Sequence, residues 1–277
     1  MAIDTTHAGG LGSRARELVL AGEERGVRLR VLGGVAIALR AGPDTPHELR
    51  RAVNDLDLVV AEGEGRRAGE LLKDHGLLAL SERFNALHGH RRLVFVGQDD
   101  GVSNEGKVDV FVGDLEMCHV VPLRRRLEHD PLTLSPTDLL LSKGQIARLT
   151  AKDRLDLYNL LFNHVVDTAG APAPEVVDAA YVAALCARDW GWWRTLSANL
   201  VSSRRLLEEV PLAESERLRI DARFTMLTEA IEAAPKSIRW RARSRVGERV
   251  RWYEEPEDIE GPAGPRAAPS RPAPSGL

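Results

Sequence analysis

A chain of 277 residues with 43% apolar and 29% charged side chains has the composition of a globular protein with a substantial core. Its formal net charge of -3 argues against a generally basic nucleic-acid binder, leaving only a local basic surface for that role. Two distant cysteines, Cys118 and Cys186, exclude a disulfide framework and a cysteine zinc site and fit a reducing cytoplasm. No secretory leader or membrane-length apolar run is read, so a cytoplasmic protein that does not engage the membrane is expected.

Residues 1–12, rich in glycine, read as a flexible leader, and residues 13–24 as a helix capped by Ser13. A short strand over 27–32 runs into Gly33-Gly34, and residues 35–40 suit a helix opening from those glycines. A turn-rich stretch leads to a strand over 55–60. Residues 65–75 form an amphipathic helix closed by Gly76. Two strands follow, 92–96 and 107–112, joined by a loop of hairpin composition and therefore antiparallel. His88 and His90 read as ordinary loop residues. Ser135-Pro136 begins a helix that extends to about residue 164, with a second cap pattern at Thr150 pointing to two helices meeting near Leu149. From 174 to 253 the character is helical. Residues 254–277, dominated by Pro, Gly and Ala, are expected to be disordered.

Alternate strand residues share a face, so Asp55 and Asp57 point together while Leu56 and Leu58 point away. Two neighbouring carboxylates on an apolar strand repel and resist burial, and a hard divalent cation relieves both costs. Asp109 interrupts the later strand in the same way, sharing a face with Lys107 and Phe111. If the strands are neighbours, the three acids form one site holding two metals, the arrangement that stabilises attacking and leaving oxygens in phosphoryl chemistry. Gly33-Gly34, between strand and helix, lets backbone N–H groups approach a phosphate.

In this order (VLGGVAIALR at 31–40, RAVNDLDLVV at 51–60, KVDVF at 107–111, KGQIARLTAKDRLDL at 143–157) the segments resemble the nucleotidyltransferase superfamily of the DNA polymerase beta type. Within it they look most like the AbiEii group of toxin nucleotidyltransferases. The resemblance implies an α/β (α+β) fold, a short mixed sheet flanked by helices over residues 13–134, then a helical domain over 135–253. It implies that Asp55, Asp57 and Asp109 bind two magnesium (or manganese) ions and that Gly33 and Gly34 cradle the triphosphate. Arg51, Lys143 and Arg148 would contact the nucleotide, with Asp153 orienting them or assisting the acceptor. Two positions depart from the pattern: Val35 and Val53 stand where the family carries hydroxyl residues, which bears on nucleotide affinity.

Other readings compete at several of these positions. Lys143 suits a lysine snorkelling from a helix, and Arg148, Lys152 and Asp156 suit a surface salt-bridge ladder. Trp190, Trp192 and Trp193 read as anchors of the C-terminal helices. Seven basic residues against one acid, from Lys236 to Tyr253 with Trp240 and Trp252 interleaved, form the candidate RNA contact. The expected reaction moves an NMP from an NTP to an acceptor, a tRNA end, with an antitoxin protein as neutralising partner. Two alternatives stay open: a small-molecule nucleotidyltransferase of the antibiotic-modifying kind, and a silent fold that only binds.

Overall fold

The computed structural model describes residues 6–97, 106–170 and 175–255. The expected hairpin loop (98–105) and most of the expected disordered tail (256–277) lie outside them. Helix α1 (Thr6–Glu24) packs on α2 (Gly33–Arg40), the two being separated by strand β1 (Leu29–Leu32). The expected leader is thus helical from Thr6, and Ser13 sits inside the helix rather than capping it. Tertiary packing overrides the weak propensity of the glycines: Gly12 lies so close to Leu39 that a side chain there would meet it at 3.1 Å, and Ala15 and Leu18 are fully buried.

Strand β2 (Leu56–Val60) leads to α3 (Gly65–Asp74), whose Ala68, Leu71 and Leu72 face the core. Gly76, at φ +77°, follows just past the C-cap His75. Next come β3 (Leu77–Ala79) and α4 (Glu82–His88), neither expected from the sequence, and then β4 (Arg92–Gly97) and β5 (Val108–Val112). His88 therefore ends a helix, capped at Ser81, and stacks on Phe84 at 4.7 Å. The five strands form one mixed sheet in the order β1-β2-β5-β4-β3. β2 and β5 run parallel, while the β1–β2, β4–β5 and β3–β4 pairs are antiparallel, as expected for β4 and β5.

After a small β6 (Leu115–Glu116) and β7 (Val120–Val121) hairpin the chain becomes mainly helical. Helix α5 (Pro136–Gly144) starts at Ser135, which accepts from Asp138 N, and α6 (Ala151–Asn163) starts with a reciprocal capping box between Thr150 and Asp153. The break between them falls where the two caps predict it. A two-residue pairing of β8 (Val166–Asp167) with β9 (Val177–Asp178) interrupts the expected all-helical region. It is followed by α7 (Ala179–Arg188), α8 (Trp190–Leu206), α9 (Glu214–Ala233) and α10 (Ile238–Val246).

One hydrophobic cluster runs from Ala15 through the sheet to Ile231, so the core is continuous across residue 134. Trp190 and Trp192 are buried, and Trp193 meets Trp240 edge-on at 5.2 Å, which ties α10 to α8. Among the described residues no helix is long and apolar enough to cross a membrane.

Candidate active site

Asp57 and Asp109 stand side by side, in register on the parallel neighbours β2 and β5. Strand alternation therefore puts both carboxylates on one face of the sheet. On the other flank of β2, Asp57 is paired with Leu32, the residue before Gly33-Gly34. Asp57 is only partly exposed. Burial, and then the charge of Asp109, push its carboxyl up to about 7, with Asp55 adding to the effect and Lys143 and Arg92 opposing it.

Asp55 lies one residue ahead of β2 and is exposed. Asp109 is nearly enclosed, its oxygens held by Arg92 (2.8 Å) and Lys107 (2.9 Å). Among the described residues no three His, Cys, Asp or Glu side chains are gathered closely enough to hold a metal ion. The expected three-acid cluster is therefore assembled only as a pair, because Asp109 is engaged by two cations and Asp55 faces solvent. That pair still fits a hard divalent cation, since magnesium takes one or two carboxylates and completes its shell from water and phosphate.

The glycine turn lies against these acids. Gly33 has φ +68°, and a Cβ there would overlap Asp57 Oδ2; a Cβ on Gly34 would come within 2.5 Å of Arg51 Nη2. Only glycine allows this approach. Helix α2 opens at Leu32 with no side-chain cap, which leaves first-turn N–H groups available to an anion.

Arg51 donates through Nε and Nη2 to the two oxygens of Asp156, both at 2.7 Å. Lys143 Nζ reaches the same residue at 2.9 Å and Asp153 at 3.2 Å. Burial opposes the charge on Lys143 and on Arg51, yet the acids beside them raise both pKa values above their ordinary ranges. Asp153, conversely, is lowered by Lys143 and Thr150 against the effect of its own burial. Lys143 is thus an ion-pair partner at the site and not a snorkelling lysine.

Arg148 is not gathered here. Its side chain is 85% exposed and stands 4.0 Å from Glu255. The ladder through Arg148, Lys152 and Asp156 does not form, because the chain breaks between α5 and α6 and Asp156 turns inward to Arg51 and Lys143. Sequence reasoning placed Asp156 in the segment that carries the family resemblance and in a surface ladder but gave it no role in the site, and it missed Arg92. Asp156 carried a signal, since it is an acid i+3 from Asp153 on one helix face; Arg92 carried none beyond its place on the neighbouring strand.

A cavity of about 520 Å³ lies on the far side of Arg92, with Phe84, His88, Arg92, Phe111, His119 and Glu254 in its walls and none of the three acids among them. In the C-terminal basic stretch, Arg239, Arg241, Arg245, Arg249 and Arg251 are exposed. Its aromatics are already engaged: Trp252 meets Trp190 at 6.0 Å and Tyr253 at 5.4 Å.

No known protein family matches the chain, and no curated protein does. Among solved structures the chain is similar to an antigenic nucleotidyltransferase-like protein from Paracoccidioides brasiliensis. The two are 17% identical, with 82% of this chain and 94% of that one covered and a TM-score of 0.40. A likeness at that level bears on none of the residues above.

Proposed function

We propose that this chain is a metal-dependent nucleotidyltransferase. An acceptor hydroxyl attacks the α-phosphorus of a nucleoside triphosphate, the bond to the β-phosphate oxygen breaks, and pyrophosphate leaves. The observation that carries the reading is the in-register pair Asp57–Asp109 set against the Gly33-Gly34 turn. Arg92 and Lys107 offset the charge of Asp109, but no cation among the described contacts offsets that of Asp57 beside the glycine turn.

Asp57 and Asp109, with Asp55 ahead of them, would hold magnesium or manganese. Such a cation, when bound, stabilises charge on the reacting oxygens. Gly33, Gly34 and the open turn of α2 receive the β- and γ-phosphates. Arg51 and Lys143 place positive charge beside them, while Asp153 and Asp156 fix where those cations stand. Arg148, exposed and directed at Glu255, has no part in this arrangement.

The acceptor in this reading is a tRNA end, bound through the exposed arginines of residues 236–253. Because the aromatics of that stretch are packed on one another, its contacts are with phosphates and not by base stacking. A toxin-like activity of this kind implies an antitoxin protein as partner. A second reading, transfer to a small cationic acceptor, draws on the compact cavity beside Arg92, where Asp114, Glu116, Glu254 and Glu255 supply carboxylates.

The test is incubation with α-labelled nucleoside triphosphates, magnesium, and either total tRNA or aminoglycosides. Label on tRNA that is lost in Asp57→Ala supports the first reading, and label on the drug supports the second. Absence of transfer to both, with nucleotide still bound, identifies a silent binding protein.

A further inference from the structure

Both oxygens of Asp109 face cations on its own sheet. Arg92 Nε and Nη2 reach Oδ1 at 2.9 and 2.8 Å, and Lys107 Nζ reaches Oδ2 at 2.9 Å. Asp109 is only 4% exposed, so these contacts lie where solvent screens charge poorly. Asp57, in register beside it, has no such partner among the described contacts. A divalent cation shared by Asp57 and Asp109 would place its charge beside that guanidinium on one carboxylate, and the two like charges repel.

Of the two side chains, Arg92 has a place to go. Its guanidinium lies over the Phe111 ring, 5.2 Å from the centroid, and borders the cavity of about 520 Å³. Turning about that ring keeps the charge beside the acids and frees its planar fork. The fork matches two oxygens of a phosphate better than an ammonium does.

We propose that Arg92 is a phosphate ligand held in reserve: it neutralises Asp109 while the site is free of metal, and passes to the substrate phosphate when the carboxylate is taken by a divalent cation. The inference rests on the nucleotidyltransferase reading above and assigns a second task to a residue that the reading does not use. Phe111 is the surface on which the side chain turns, which gives that ring a reason to line a polar site.

The consequence is a pair of effects of opposite sign. Removing the Arg92 charge removes a competitor for Asp109 and so tightens metal binding, while it deletes a phosphate contact and so weakens nucleotide binding. A residue with a purely structural role weakens both.

The experiment compares the full chain with Arg92→Gln, which keeps a planar group over Phe111. Uptake of Mn²⁺ is followed by loss of the free-ion paramagnetic resonance signal. Binding of the α,β-methylene analogues of the four ribonucleoside triphosphates is measured by calorimetry at saturating Mn²⁺. The expected result is Mn²⁺ binding about tenfold tighter and analogue binding about tenfold weaker in the variant, in line with the loss of a charge-assisted contact. Equal affinities, or both weakened together, overturn the proposal and leave the metal site standing. No Mn²⁺ uptake by the unaltered chain overturns the metal reading and the proposal with it. Should Arg92→Gln fail to fold, Arg92→Lys keeps the charge without the fork. Its Mn²⁺ affinity is expected near that of the unaltered chain with analogue binding weakened, and unweakened analogue binding overturns the proposal.

Discussion

Arg51 grips Asp156 with two parallel hydrogen bonds of 2.7 Å, across 105 residues of sequence. Asp156 is 3% exposed and also receives Lys143 at 2.9 Å, so one buried carboxylate fixes two cations beside the glycine turn. Removing it leaves two partly buried positive charges with Asp153 as their remaining acid. Asp156→Ala is expected to lower unfolding free energy by about 3 kcal/mol. Urea denaturation with an unchanged slope checks this, and a loss under about 1 kcal/mol contradicts it.

The glycine turn makes a sharper prediction because a control stands nearby. Gly33 and Gly76 both have positive φ, +68° and +77°, but a Cβ at Gly76 meets nothing within 4 Å while one at Gly33 overlaps Asp57. Gly76→Ala therefore carries only backbone strain, about 1 kcal/mol. Gly33→Ala adds the displacement of a carboxylate and is expected to lose at least about 2 kcal/mol, together with Mn²⁺ uptake. Equal losses in the two variants, with metal uptake intact, show that the turn does not position Asp57.

What could be read in advance divides along the range of the interactions. Asp57 and Asp109 were legible because each breaks an apolar alternation, a pattern confined to five residues, and their strands do pair in register. The break between α5 and α6 was legible because Ser135 and Thr150 carry their caps within three residues. The inward turn of Asp156 was not, since its burial depends on Arg51 and Lys143 arriving from other elements. That Asp55 stays in solvent while Asp109 pairs with Arg92 and Lys107 was not legible, because alternation does not record contacts between neighbouring side chains of a sheet. β3 was missed because three residues are too few to show a period, and α4 because it is short, polar and buries no residue fully. Helix α1 was cut short because its glycines are poor helix formers, although packing on α2 compensates.

Asp57 itself connects the site to stability. Its pKa, near 7 in the fold against 3.8 for a free carboxyl, means that the folded chain holds this proton more tightly than the unfolded one. The sign follows: stability falls as pH rises from about 4 to about 7, and above that range the full penalty of a desolvated charge is present. Asp57→Asn removes the charge and keeps the shape. In the presence of chelator the variant is expected to be more stable than the unaltered chain at pH 8, by on the order of 2 kcal/mol, and to match it at pH 4. Thermal unfolding at both pH values measures the difference, and a variant less stable at pH 8 contradicts the assignment. Saturating Mn²⁺ should reverse the order by stabilising only the unaltered chain.

His119 provides the opposite slope, and its burial explains why. Trp252 Nε1 donates to Thr195 Oγ1 at 3.0 Å, and an indole nitrogen can only donate. The Thr195 hydroxyl also lies 2.8 Å from His119 Nε2, a hydrogen bond whose direction follows the imidazole tautomer. Burial lowers the His119 pKa to about 4, from 6.5 for a free histidine. Between those values the unfolded chain takes up a proton that the folded one refuses, so stability is lost as pH falls from 6.5 towards 4. The loss assigned to this residue is on the order of 3 kcal/mol. In His119→Gln no proton is taken up, and the decline with acid is expected to be flatter by that amount. Because His119 lies 5.1 Å from the Trp192 ring and shares Thr195 with Trp252, a charge on it is felt by both indoles. Tryptophan fluorescence should therefore shift to the red between pH 6 and 4 ahead of global unfolding in the unaltered chain, and a shift of equal size and midpoint in His119→Gln refutes the link.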